Sequence, residues 1–132
     1  MKKVMVIDSD AHQIRILNEG LSNDFHILGC SRGTKAMELF KIYQPSALVL
    51  DPAASELNAR EFVRRVRSLP NGLRLPILAL TRITTLRHIE DSFDLGADMI
   101  FSKPCSAERI KVKLNQCLAR PTRPSELEAA GV

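Results

Sequence analysis

Four short apolar runs in this chain each give out at a polar or charged residue. They are Val4-Met5-Val6-Ile7 before Asp8, Ala47-Leu48-Val49-Leu50 before Asp51, Ile77-Leu78-Ala79-Leu80 before Thr81, and Met99-Ile100-Phe101 ahead of Lys103. Runs this short and this continuously apolar read as strands buried on both faces. Between them apolar residues recur at helical spacing: Ile14, Leu17 and Leu21, then Ala36, Met37 and Phe40, then Phe62, Val63, Val66 and Leu69. The pattern predicts strands over Lys3–Ile7, Phe25–Leu28, Ala47–Leu50, Ile77–Leu80 and Asp98–Ser102. It predicts helices over Ala11–Ser22, from Gly33-Thr34 onward, over Ala59–Ser68, Thr84–Asp94 and Ala107–Ala119. Pro45 stops the second helix, and Pro70-Asn71-Gly72 marks a turn. Five strand–helix units in alternation imply a parallel sheet with helices on both faces and right-handed crossovers.

In such a sheet the strand carboxyl ends share one edge, where ligands bind. Asp8, Asp51, Thr81 and Lys103 would then meet in one pocket. Carboxylates suit a hard cation, and a hydroxyl and an amine suit phosphate oxygens, so the set fits Mg2+ and a phosphoryl group. Each residue alone has an ordinary explanation. A strand-end aspartate caps a turn, a strand-end threonine follows β-propensity, and a strand-end lysine is solvated. Their joint placement favours chemistry, and a cis Lys103-Pro104 bond would aim the amine at the acids.

These residues resemble the receiver domain of bacterial two-component response regulators. Val6-Ile7-Asp8-Ser9-Asp10 resembles the acidic cluster after the first strand. Leu48-Val49-Leu50-Asp51 resembles the strand ending in the phosphoacceptor, and Leu80-Thr81 the switch hydroxyl. Gly96-Ala97-Asp98 with Ser102-Lys103-Pro104 resembles the fifth-strand segment. The resemblance runs from about Lys3 to about Leu118. It implies a flavodoxin-like doubly wound (βα)5 three-layer sandwich of strand order 2-1-3-4-5. The receiver domain would span 1–120, with a linker or tail over 121–132. Asp51 would be the nucleophile, with Thr81 and Lys103 contacting the phosphoryl group. Mg2+ would sit on Asp8, Asp51, the Ala53 carbonyl and Asp10, with no organic cofactor. A sensor histidine kinase or phosphotransfer protein would be the partner, and the domain would not be an enzyme with an outside substrate. Output would pass through helix four, strand five and helix five, a face also open to a homodimer.

Several positions depart from the family pattern. Ser9 stands where a second adjacent acid is usual, and a hydroxyl is the weaker ligand for a hard cation. Asp10 is acidic but is better placed to cap the first helix. Arg82 stands where a small residue usually follows the switch hydroxyl, and it either crowds the site, pairs with phosphate, or points to solvent. After Asp51, Pro52 removes one backbone N–H, while Ser55 and Ala59 replace the usual Pro and Gly. Ile100 takes the place of an aromatic switch, with Phe101 on the opposite strand face. These departures support an alternative reading, an atypical receiver that docks or dimerises without phosphate. A flavodoxin-like small-molecule enzyme fits less well, since neither Gly-x-Gly-x-x-Gly nor a P-loop is present.

Bulk properties narrow the class further. At 132 residues and 45% hydrophobic, the chain suits one globular domain. No apolar stretch reaches membrane-spanning length, and Met1-Lys2-Lys3 leads into a strand without a signal-peptide pattern. Three cysteines without Cys-x-x-Cys suit reduced thiols in a cytoplasm. Cys105 reads as filling an apolar position. A net charge of +4, one Tyr and no Trp give little footprint for nucleic acid. Arg60, Arg64 and Arg67, one turn apart, read as a solvated charge stripe. His12, His26 and His88 have no metal-ligand spacing.

Overall fold

A computed structural model describes residues 1–82 and 85–119. Five strands alternate with five helices: β1 Lys3–Ile7, α1 Ala11–Leu21, β2 His26–Cys30, α2 Ala36–Tyr43, β3 Ala47–Leu50, α3 Ala59–Arg67, β4 Ile77–Thr81, α4 Leu86–Leu95, β5 Met99–Ser102 and α5 Ala107–Leu118. All strand pairs are parallel, in the order β2-β1-β3-β4-β5. The expected architecture and strand order are those observed. The expected tail over 121–132 lies outside the described residues.

The period-two alternation of the strands builds two cores, one on each side of the sheet. Val4, Val6 and Val49 face one way, onto Leu17 and Leu21 of α1 and Ile110 and Leu114 of α5. Met5, Ile7, Leu48 and Leu50 face the other way, onto Phe40 of α2 and Phe62, Val63 and Val66 of α3. Phe40 and Phe62 meet edge to face with centroids 6.4 Å apart. The central strands β3 and β4 are buried throughout, whereas the edge strands β2 and β5 are half exposed.

The second strand differs from the sequence expectation. It starts at His26 and runs through Gly29 to Cys30, so that every residue of β1 has a partner, from Lys3↔His26 to Ile7↔Cys30. Phe25 lies in the turn that follows α1 instead: its N–H donates to Leu21 O at 2.9 Å, and its side chain packs in the α1/α5 core. The second helix also differs, opening with a 3-10 turn over Gly33–Lys35. The fourth helix begins later than expected, with Thr85 as its cap, and ends one residue later, at Leu95, capped by Gly96 with φ 114°. That left-handed backbone suits the glycine found there. The other element ends agree to within a residue, and the Lys103-Pro104 peptide is cis as expected.

Arg67 is not part of a solvated stripe. Its guanidinium donates to Gly72 O at 3.0 Å, Leu75 O at 2.6 Å and Gly96 O at 3.0 Å. It also lies 3.8 Å from Asp98. Asp98 in turn accepts the Ile77 N–H at 2.8 Å. One side chain thus ties the ends of α3 and α4 to the starts of β4 and β5. Burial, the largest influence, pulls the Arg67 pKa down, and Asp98 opposes it. Arg64 does face solvent, paired within its own helix to Glu61 at 2.6 Å. Among the described residues, no helix is long and apolar enough to cross a membrane.

Candidate phosphoacceptor site

The strand register brings the predicted residues together. Ile7 pairs with Leu50, so Asp8 and Asp51 leave neighbouring strands side by side. Thr81 pairs with Ser102, so Lys103 follows directly beside the end of β4. Backbone bonds carry this order into the site. Asp51 N–H donates to Ile7 O at 2.9 Å, and Lys103 N–H donates to Thr81 O at 2.8 Å.

At the centre, Lys103 Nζ lies 2.7 Å from Asp8 Oδ2 and 2.7 Å from Asp51 Oδ2. Their side chains are only 6%, 4% and 14% exposed, respectively. The second oxygen of each acid accepts a backbone N–H at 2.9 Å, Asp10 N–H on Asp8 and Ala53 N–H on Asp51. Burial, the largest single influence, pulls the Lys103 pKa down. The hydrogen bonds and charges of Asp51 and Asp8 together outweigh it and leave the ammonium above the usual lysine value. Two carboxylates facing one ammonium leave a net charge of one negative unit, which suits a cation or an incoming electrophile.

Thr81 is buried at the end of β4. Beside it a groove of about 260 Å³ runs between the start of α3 and α4, lined by Pro52, Ala53, Arg60 and His88 among others. Ile100 is half buried and Phe101 is buried in the opposite core, with Arg109 stacked 5.8 Å from its centroid. Cys105 packs partly buried against that same core.

The Asp10 side chain is engaged outside the pair of acids. It caps α1, accepting the His12 N–H at 2.9 Å, and its other oxygen lies 3.8 Å from the Arg82 guanidinium. Among the described residues no three Asp, Glu, His or Cys side chains gather as a metal site. A hard cation at this edge would find the carboxylates of Asp8 and Asp51, with the Ala53 backbone in the adjoining loop. Two hard carboxylates with a carbonyl and water fit Mg2+, which rarely uses an all-protein cage.

Ser9 holds an unexpected position. Its hydroxyl oxygen accepts the Ser55 N–H at 2.5 Å, and the Ser55 carbonyl accepts the Gly33 N–H at 3.3 Å. A Cβ on Gly33 would come within 2.5 Å of the Glu56 carbonyl carbon. The loops after β1, β2 and β3 thus interlock around Ser55. Neither this knot nor the Asp10–Arg82 pair is visible in any local motif, because each joins residues far apart in sequence.

The model of the response regulator receiver domain matches residues 4–115. Response regulator MprA of Mycobacterium ulcerans (strain Agy99) is 32% identical over 129 residues, covering 97% of this chain and 54% of that protein. MprA of Mycobacterium avium (strain 104) is 30% identical over 125 residues, covering 94% and 54%. The chain spans about half the length of the curated relatives it matches. Among solved structures, a response regulator from Chloroflexus aurantiacus J-10-fl superposes with TM-score 0.81 at 23% identity, over 90% of this chain and 98% of that one. Chemotaxis protein CheY4 of Vibrio cholerae gives TM-score 0.81 at 22% identity, over 89% and 99%. The BeF3-activated DrrB receiver domain gives 0.80 at 21%, over 91% and 99%. At those identities the structural likeness speaks to the fold. A family match that begins inside β1 and ends inside α5, joined by the MprA relatives, makes this chain a member of the response regulator receiver domain family of two-component signal transduction.

Proposed function

We propose that this domain is a phosphoacceptor switch in which Asp51 takes a phosphoryl group from a histidine kinase or phosphotransfer protein. The observation that carries the reading is Lys103, held at 2.7 Å between the carboxylates of Asp51 and Asp8. An Asp51 oxygen attacks phosphorus and forms a P–O bond. The bond from phosphorus to the donor's imidazole nitrogen breaks, and its electron pair stays with the imidazole. Lys103 neutralises charge on the acceptor and its product, and Thr81 stands at the strand end to donate its hydroxyl to a phosphoryl oxygen. Asp8, Asp51 and the Ala53 carbonyl are the donors for Mg2+, with Asp10 contributing its field from the helix cap. When bound, Mg2+ supplies charge neutralisation for the approaching donor phosphate.

The same reading assigns output to α4, β5 and α5. Leu86 and Phe93 on α4, Met99 on β5 and Val112 on α5 are exposed apolar side chains. They suit a partner or a second copy of the chain. The test is incubation with acetyl phosphate or beryllofluoride in Mg2+, followed by amide NMR. Wild type should shift around residues 51–55 and 81, and Asp51→Asn should not. Equal responses would remove Asp51 as the acceptor. No response in either protein would favour the second reading, a docking domain that works without phosphate. The Ser9–Ser55 bond supports that reading, because it holds the loop without a metal.

A further inference from the structure

Arg82 follows Thr81 at the end of β4, and its ion pair with Asp10 is loose. The separation is 3.8 Å, beyond hydrogen-bond length, and the two side chains are 76% and 43% exposed. Such a pair contributes little and is easily exchanged. Asp10 would lose little by the exchange. It keeps the His12 N–H at 2.9 Å and sits at the positive end of α1.

The charge balance gives Arg82 a reason to move. Asp8, Asp51 and Lys103 sum to one negative unit, Asp10 and Arg82 cancel, and Ser9 adds nothing. A phosphoryl group adds about one further negative unit to Asp51. Lys103 is already committed, buried and bonded to two carboxylates. Arg82 is the exposed cation at the end of β4, and its guanidinium fork matches phosphate oxygens in a way a point charge does not.

We propose that Arg82 is a phosphoryl-binding residue, held in reserve by Asp10 and transferred to the phosphoryl group on Asp51. The proposal rests on the phosphoacceptor reading above. It makes two departures in the sequence complementary. Ser9 withholds a negative charge from the metal side, and Arg82 delivers a positive one to the phosphate side.

The proposal predicts effects of opposite sign from one substitution. In the free protein, Arg82→Ala removes a positive charge near the acids. Its Mg2+ dissociation constant should fall about two- to fivefold, read from amide shifts of Asp51 and Ala53. With Mg2+ saturating, the same variant should bind beryllofluoride about five- to tenfold more weakly, read by 19F NMR. Arg82→Lys keeps the charge without the fork, so Mg2+ binding should match wild type while beryllofluoride binding falls in between. Beryllofluoride binding unchanged or improved in Arg82→Ala would overturn the role of Arg82 alone. Failure of wild type itself to bind beryllofluoride would overturn the phosphoacceptor reading, and this inference with it.

Discussion

The backbone N–H of Ser55 donates to the hydroxyl oxygen of Ser9 at 2.5 Å. A neutral side chain thus joins the loops after β1 and β3, beside the carboxylates of Asp8 and Asp51. Replacing it by a carboxylate keeps an acceptor for Ser55 and adds a unit charge beside the metal donors. Charge attraction near a protein surface is about 4 kcal/mol at contact distance, and desolvation offsets part of it. A remaining gain of about 1.4 kcal/mol corresponds to roughly tenfold in affinity. Ser9→Asp should therefore bind Mg2+ about ten times more tightly than wild type in a side-by-side NMR titration. Indistinguishable affinities would mean that Asp10 or water already supplies what Ser9 lacks.

Lys103 offers a second measurement. Its two partners each lie 2.7 Å from one nitrogen, so their oxygens are no further apart than twice that length. Lys103→Ala leaves the buried Asp8 and the largely covered Asp51 facing each other without a counter-charge. Breaking a buried charge pair costs about 3 kcal/mol. The variant should lose about that much in urea denaturation without Mg2+, and adding Mg2+ should recover part of the loss. A variant as stable as wild type in chelator would show that the ammonium does not hold the site together.

The same lysine sets an alkaline signature. Its folded pKa stands above the usual lysine value, so its pairing stabilises the fold fully below the unfolded pKa, about 10.4. The contribution is lost as pH rises through the higher folded value. The stability difference between wild type and Lys103→Met should be constant from neutral pH to about pH 10 and shrink above it. A difference that vanishes already near neutrality would contradict this assignment.

Arg67 and Arg64 sit on one helix and should respond differently. Arg67→Ala strips a cationic donor from three carbonyls. A charged hydrogen bond contributes about 1.5–3 kcal/mol, and the pairs are not additive, so a loss of about 2–4 kcal/mol is expected. Arg64→Ala, which breaks a solvent-exposed pair with Glu61, should leave the urea midpoint unchanged. Equal effects would return Arg67 to the surface stripe that its spacing suggests.

That contrast shows where sequence reading reached its limit. Strand placement was legible because β1, β3 and β4 are buried on both faces, and double burial leaves an unbroken apolar run. The meeting of Asp8, Asp51, Thr81 and Lys103 was legible for the same reason, since parallel strands end at one edge. The edge strand β2 was less so. It is half exposed, and its limits are set by pairing with β1 rather than by its own pattern. Arg67 carries the same letter and helical spacing as Arg64. Only tertiary contact with Gly72, Leu75 and Gly96 separates them. Ser9 was legible as a missing charge, but its acceptor role depends on a residue 46 positions away.

The grip of Arg67 on Gly96 has a mechanical consequence. It anchors the C-terminal end of α4, with Leu86 at the opposite end of the helix. Ten helical residues span about 15 Å, so a tilt of about 10° about Gly96 carries the opposite end through roughly 2.5 Å. Leu86 lies at that travelling end and Leu95 beside the pivot. Were α4 to tilt about that anchor, the displacement would be greatest at Leu86, smaller at Phe93 and nearly nil at Leu95.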